Sequence, residues 1–179
     1  MTKLSTFITS AFLSASAIQP SHADDLEALG DALQLIVPAY SLYASNDLNG
    51  RDGLWSCGRA IAYTALSTHA LKRAINAPRP NGGDEGFPSG HTSSAAVGFG
   101  CMLGQEGWSN TTIALGAASL VTGYSRVESE HHNWEQVAAG FALGAAIGYF
   151  STRHLSEDQS IEYNTLLDGS QSLTFNMEF

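Results

Sequence analysis

Between Lys72 and Gln136 the chain places three cations, two imidazoles and a Ser-Gly turn, gathered in three clusters. The first runs from Lys72 to Pro80 and includes Arg79. The second is Pro88-Ser89-Gly90-His91, and the third is Ser125-Arg126 followed by His132. Arg presents a planar fork to two oxygens of a phosphate, and Lys adds a compact point charge. Gly90 lets a backbone approach a ligand closely, and the helix expected after it offers free N–H groups and a positive dipole end. Ser89 supplies a hydroxyl, His91 stands at the mouth, and His132 is a candidate nucleophile or base. No metal-ligand set sits among these residues. The combination suits a compact, multiply charged oxyanion and proton or phosphoryl transfer on it. Singly, each member has a plainer reading: Lys72 as a helix-end charge, Ser89 or Thr92 as an N-cap, His132 as a surface residue.

Taken in order, Lys-x6-Arg-Pro, Pro-Ser-Gly-His and Ser-Arg-x5-His resemble the type 2 phosphatidic acid phosphatase family. That family shares a superfamily with bacterial class A acid phosphatases and vanadium haloperoxidases. The resemblance implies a compact helical bundle and a phosphohistidine mechanism with no cofactor. By the matched positions His132 would attack phosphorus and His91 would protonate the leaving alcohol. Lys72, Arg79, Ser89, Arg126 and the Gly90 amide would hold the phosphoryl oxygens. Vanadate is then expected to inhibit as a phosphate mimic.

One position departs from the pattern. The family's final Asp is Gln136 here. Its amide oxygen can accept a hydrogen bond from the nucleophile's other ring nitrogen, but cannot stabilise the positive charge gathered during attack. Turnover slower than an Asp would give is expected, unless Glu128, Glu130 or Glu135 leans in. A rival register pairs His131 with Glu135, four residues on and on one face if the segment is helical. His69 and His154 have no motif partners. Asp84 and Glu85 read as solvated or as neighbours of Arg79, and Trp134 reads as packing.

These motifs must be held by helices. Leu26, Leu29, Leu33 and Ile36 recur at helical spacing, predicting a first helix over 24–45 that Pro38 kinks. Residues 46–53 are rich in turn formers and predict a break. A second helix is expected over 54–75, carrying Lys72 on its last turns, then a Pro/Gly loop. Further helices are expected near 90–103, 111–127 and 132–153. The fold class is therefore all-α, a compact bundle of about five to six helices. Alternation of Leu173, Phe175 and Met177 adds a short C-terminal β-hairpin or extended tail. Three units follow: a signal peptide over 1–23, a helical phosphatase domain over 24–155, and a tail over 156–179.

The leader reading rests on Lys3, the apolar run from Leu4 to Ile18, and Ser21-His22-Ala23 as a small-x-small cleavage pattern. It implies a periplasmic or secreted protein, with membrane association as the alternative. Residues 107–125 and 136–152 lack Asp, Glu, Lys and Arg. They are nonetheless built largely of Ala, Gly, Ser and Thr, which favours a soluble bundle over spanning helices. With only eight Lys and Arg and a formal charge of −9, nucleic acid is not an expected partner. Cys57 and Cys101 can pair if the fold brings them close, but the reading preferred from sequence is two small buried hydrophobes.

The function expected is a metal-independent phosphomonoester hydrolase, either an acid phosphatase or a lipid phosphate phosphatase. Its partner is a phosphate monoester or lipid phosphate substrate, with peripheral membrane contact left open and the oligomeric state unassigned. Two alternatives stand beside it: a vanadate-dependent haloperoxidase, and a non-catalytic phosphate-binding protein in which Gln136 marks decay of the site.

Overall fold

The computed structural model describes residues 23–153, 159–165 and 171–177. Four helices fill the first of these segments: α1 (Ala23–Ile75), α2 (Gly90–Glu106), α3 (Asn110–Glu128) and α4 (Trp134–Thr152). The leader expected over 1–23 lies outside the described residues apart from Ala23, as does His154. In the tail, β1 (Gln159–Thr165) and β2 (Gln171–Met177) pair antiparallel, with Ile161 opposite Phe175.

Four helices stand where about five to six were expected, because α1 joins two of them end to end. They meet across a kink inside the turn-rich segment over 46–53, where Asn49 and Gly50 leave helical geometry and Gly50 takes φ 57° and ψ −142°. That backbone is open to Gly and strained for other residues, so the chain bends and continues. Polar side chains pin the bend to α2. Asn49 donates to Gln105 at 2.9 Å, and Gln105 donates to Ser45 at 2.7 Å.

Pro38 lies inside α1 without leaving helical dihedrals. A proline inside a helix strands the carbonyl four residues earlier. Here that carbonyl, on Gln34, accepts the Ser94 hydroxyl at 2.8 Å. The lost intrahelical bond becomes a staple between α1 and α2.

Helix α2 is the centre of the bundle, with every residue but Ser94 buried from Thr92 to Met102. Its Ala95, Phe99 and Met102 pack with Leu33, Val37 and Ala44 of α1 and Leu115 and Ala118 of α3. The opposite face meets α4 through a glycine row, Gly140, Gly144 and Gly148, lying over the backbone carbonyls of Ser89 at the α2 N-cap, Ser93 and Val97. Four-residue spacing keeps the row on one side of α4, so the two backbones approach more closely than side chains would permit. A Cβ at Gly144 would overlap the Ser93 carbonyl. Gly144→Ala should therefore cost about 1–3 kcal/mol of stability through overpacking. An unchanged urea midpoint would show that the seam can yield.

The cysteines overturn the preferred reading. Cys57 of α1 and Cys101 of α2 are disulfide-bonded, with Cα atoms 5.6 Å apart. Both are fully buried, so the hydrophobic part of that reading stands while the free thiols do not. No helix among the described residues is long and apolar enough to cross a membrane.

Candidate active site

The three motif clusters meet at one end of the bundle because four element ends converge there. Lys72 lies on the last turn of α1, Ser89 caps α2, Arg126 closes α3, and Gln136 opens α4. Backbone bonds lock the ends together. The Ser89 amide donates to the Gln136 carbonyl at 2.9 Å, and the His132 amide donates to the Arg126 carbonyl at 3.0 Å.

His132 does not sit in the fifth helix expected from sequence. It precedes the Asn133 N-cap of α4 and is 3% exposed. Its Nδ1 lies 2.9 Å from Gln136 Oε1. The orientation of that amide is fixed by two other partners. Gln136 Nε2 donates to the Pro78 carbonyl at 2.9 Å, while Oε1 accepts from the Asn133 amide at 3.3 Å. Flipping the amide would set donor against donor and acceptor against acceptor. The oxygen therefore faces His132, so Nδ1 carries the hydrogen and Nε2 carries the lone pair. Burial, joined by the charges of Lys72 and Arg79, pushes the His132 pKa down to about 4 against the favourable pull of Gln136 and the Gly86 backbone.

Two of the cations are held by the loop between α1 and α2. Lys72 is buried and donates to the Glu85 carbonyl at 2.6 Å; burial, then Arg79, lowers its pKa. Arg79 donates through Nε to the Asp84 carbonyl at 2.9 Å. Asp84 and Glu85 thus meet these cations through their backbones rather than their carboxylates.

Ser89 is fully buried, and its Oγ accepts from the Thr92 hydroxyl at 2.9 Å and the Thr92 amide at 3.5 Å. The N-cap reading holds for it, with the hydroxyl hydrogen not spent on Thr92. Gly90 and His91 are the first residues of α2, where amides have no intrahelical acceptor.

The remaining two members face α1. Arg126 is 2% exposed and bonded on every side: Nε to Ser125 Oγ at 3.2 Å, Nη2 to the Glu27 carbonyl at 2.8 Å, Nη1 to Asp31 Oδ1 at 2.9 Å. His91 Nε2 reaches the same Asp31 oxygen at 2.9 Å. Burial and Arg126 lower the His91 pKa, and Asp31 opposes them. His131 pairs with Glu27 rather than with the Glu135 of the rival register. Its Nε2 bonds Glu27 Oε1 at 2.7 Å and its Nδ1 accepts from Asn81 at 3.1 Å. Residues 131 and 132 are not helical, so the shared face that would pair His131 with Glu135 does not form.

Sequence reasoning missed Glu27 and Asp31. They stand four apart on α1, far from every motif, and look like solvated helix charges. Trp134 is exposed against Tyr124, with ring centroids 6.3 Å apart, and His69 is exposed. Among the described residues no cluster of His, Cys, Asp and Glu could hold a metal ion.

Residues 81–159 match the family model described as PAP2 superfamily, consistent with the type 2 phosphatidic acid phosphatase superfamily. That match points to phosphatase-like chemistry or a related hydrolysis. The matched stretch holds the Pro-Ser-Gly-His and Ser-Arg-x5-His motifs but begins after Arg79, so Lys72 and Arg79 join the site on geometry. No curated protein and no solved structure matches the chain.

Proposed function

We propose that the protein is a phosphomonoester hydrolase that works without a metal through a phosphohistidine. His132 Nε2 attacks phosphorus as the ester P–O bond breaks, and His91 gives a proton to the departing alcohol oxygen. Water then attacks phosphorus and gives a proton to His91 as the P–N bond breaks, returning the electron pair to His132 Nε2 and releasing phosphate. Lys72, Arg79 and Arg126 offset charge on the phosphoryl oxygens, with the Ser89 hydroxyl and Gly90 amide as further donors. The observation that carries this reading is the Gln136 amide, which leaves a lone pair on His132 Nε2 in a buried site beside Lys72 and Arg79. A soluble or broadly accepted ester is the preferred substrate class. The disulfide supports export to an oxidising compartment such as the periplasm.

The pH dependence follows from the two imidazoles. His132 must be neutral to attack, so kcat/KM should fall as pH drops through about 4. His91 must be protonated to act as acid, and its pKa lies below the ordinary 6.5, so activity should also fall as pH rises past that lowered value. The expected profile is a bell on the acid side. Phosphate release from an aryl phosphate, followed against pH with chelator present and repeated with a lipid phosphate, tests this. An optimum above neutrality, or dependence on added metal, would overturn the mechanism.

A further inference from the structure

We infer that Asp31 is a positioning residue for two members of the site, holding His91 by Nε2 and Arg126 by Nη1 so that His91 Nδ1 is the atom that exchanges protons with substrate. This rests on the phosphatase reading above. Asp31 Oδ1 lies 2.9 Å from each nitrogen. An ionised carboxylate only accepts hydrogen bonds, so His91 Nε2 carries the hydrogen. When the ring is charged, Nδ1–H is the donor left for the leaving oxygen. When it is neutral, the Nδ1 lone pair is free to take a proton from attacking water. One tautomer thus serves both half-reactions.

The fold is built to bring Asp31 there. Its neighbour Gly30 lies so close to α3 that a Cβ would overlap Ser125 Oγ. Glu27, one turn earlier, repeats the arrangement by bonding His131 and offering its carbonyl to Arg126. The charged and titratable groups facing His91 are Asp31 from α1, Arg126 from α3 and His131 from the α3–α4 turn. Asp31 is half exposed, its pair with His91 contributes little to stability, and Arg126 keeps its bonds to Ser125 and the Glu27 carbonyl when Asp31 is replaced. Its consequence belongs to the reaction.

The test is Asp31→Asn, with Asp31→Ala as a second variant, assayed on an alkyl phosphate and on nitrophenyl phosphate. An alkoxide leaves poorly and needs the proton; nitrophenolate leaves without much help. General acid catalysis is worth about 10²–10⁴-fold, so partial misplacement should lower alkyl kcat about 10–100-fold and aryl kcat by less than about threefold. The unfolding midpoint should stay high enough that both variants are fully folded under assay conditions. Equal losses on both esters, or none, would overturn the inference. Nitrogen NMR of the His91 ring gives a readout independent of turnover: neutral Nε2–H in the parent, and a mixture in Asp31→Asn. Nε2–H in a parent inert on both esters would refute the phosphatase reading while upholding the hold of Asp31; an Nδ1–H ring would refute that hold.

Discussion

Replacing His132 with alanine should abolish phosphate release, by ~10⁴-fold or more, because removing a covalent nucleophile deletes the pathway rather than weakening it. His131→Ala, one residue away, should change kcat by less than about threefold, since a residue bonded outside the reacting groups contributes little to transition-state binding. The contrast comes from geometry. His132 is buried and held through Nδ1 by Gln136, while His131 spends both nitrogens on Glu27 and Asn81. Turnover of nitrophenyl phosphate by both variants, with acid-quench trapping of labelled phosphoprotein, separates the possibilities. Loss of trapped phosphate in His131→Ala alone would move the nucleophile. A fully active His132→Ala would remove the phosphohistidine altogether.

Reducing the Cys57–Cys101 bond should be the largest stability change. The bond closes a separation of 44 residues, and in the chain-entropy model that removes about 4 kcal/mol of freedom from the unfolded state. With a urea slope of about 1–3 kcal/mol per molar, the midpoint should fall by about 2 M in reductant. A Cys57→Ala/Cys101→Ala variant should show the same shift and no further response to reductant. If reduced and oxidised protein unfold together, the bond contributes no such constraint. The link ties α1 to α2 at a distance from the histidines along both helices, so activity at low urea should be retained.

Gln136 shows why the motif pattern had to be completed by structure. From sequence it is a departure that costs charge stabilisation. In the fold its amide also donates to Pro78, in the loop that carries Arg79. A carboxylate has no hydrogen for that bond. Gln136 therefore exchanges charge beside His132 for a tether on the loop that carries Arg79.

The sequence by itself determined the helical class and the motif order, and it named eight candidate site residues, because helix periodicity, turn chemistry and the chemistry of each side chain are local properties. It placed α2 and α3 nearly to their ends, and Ser89, one of its N-cap candidates, does cap α2. Tertiary structure decided the rest. The bonds that pin the Gly50 kink, and the Ser94 hydroxyl that takes the Gln34 carbonyl stranded by Pro38, come from α2, which no local window contains. The cysteine pairing depends on how α1 and α2 pack. Asp31 and Glu27 enter the site because Gly30 lets α1 lie against α3, joining residues about a hundred positions apart in the chain. Spacing reveals which groups can do the chemistry, whereas only packing reveals which groups hold them in place.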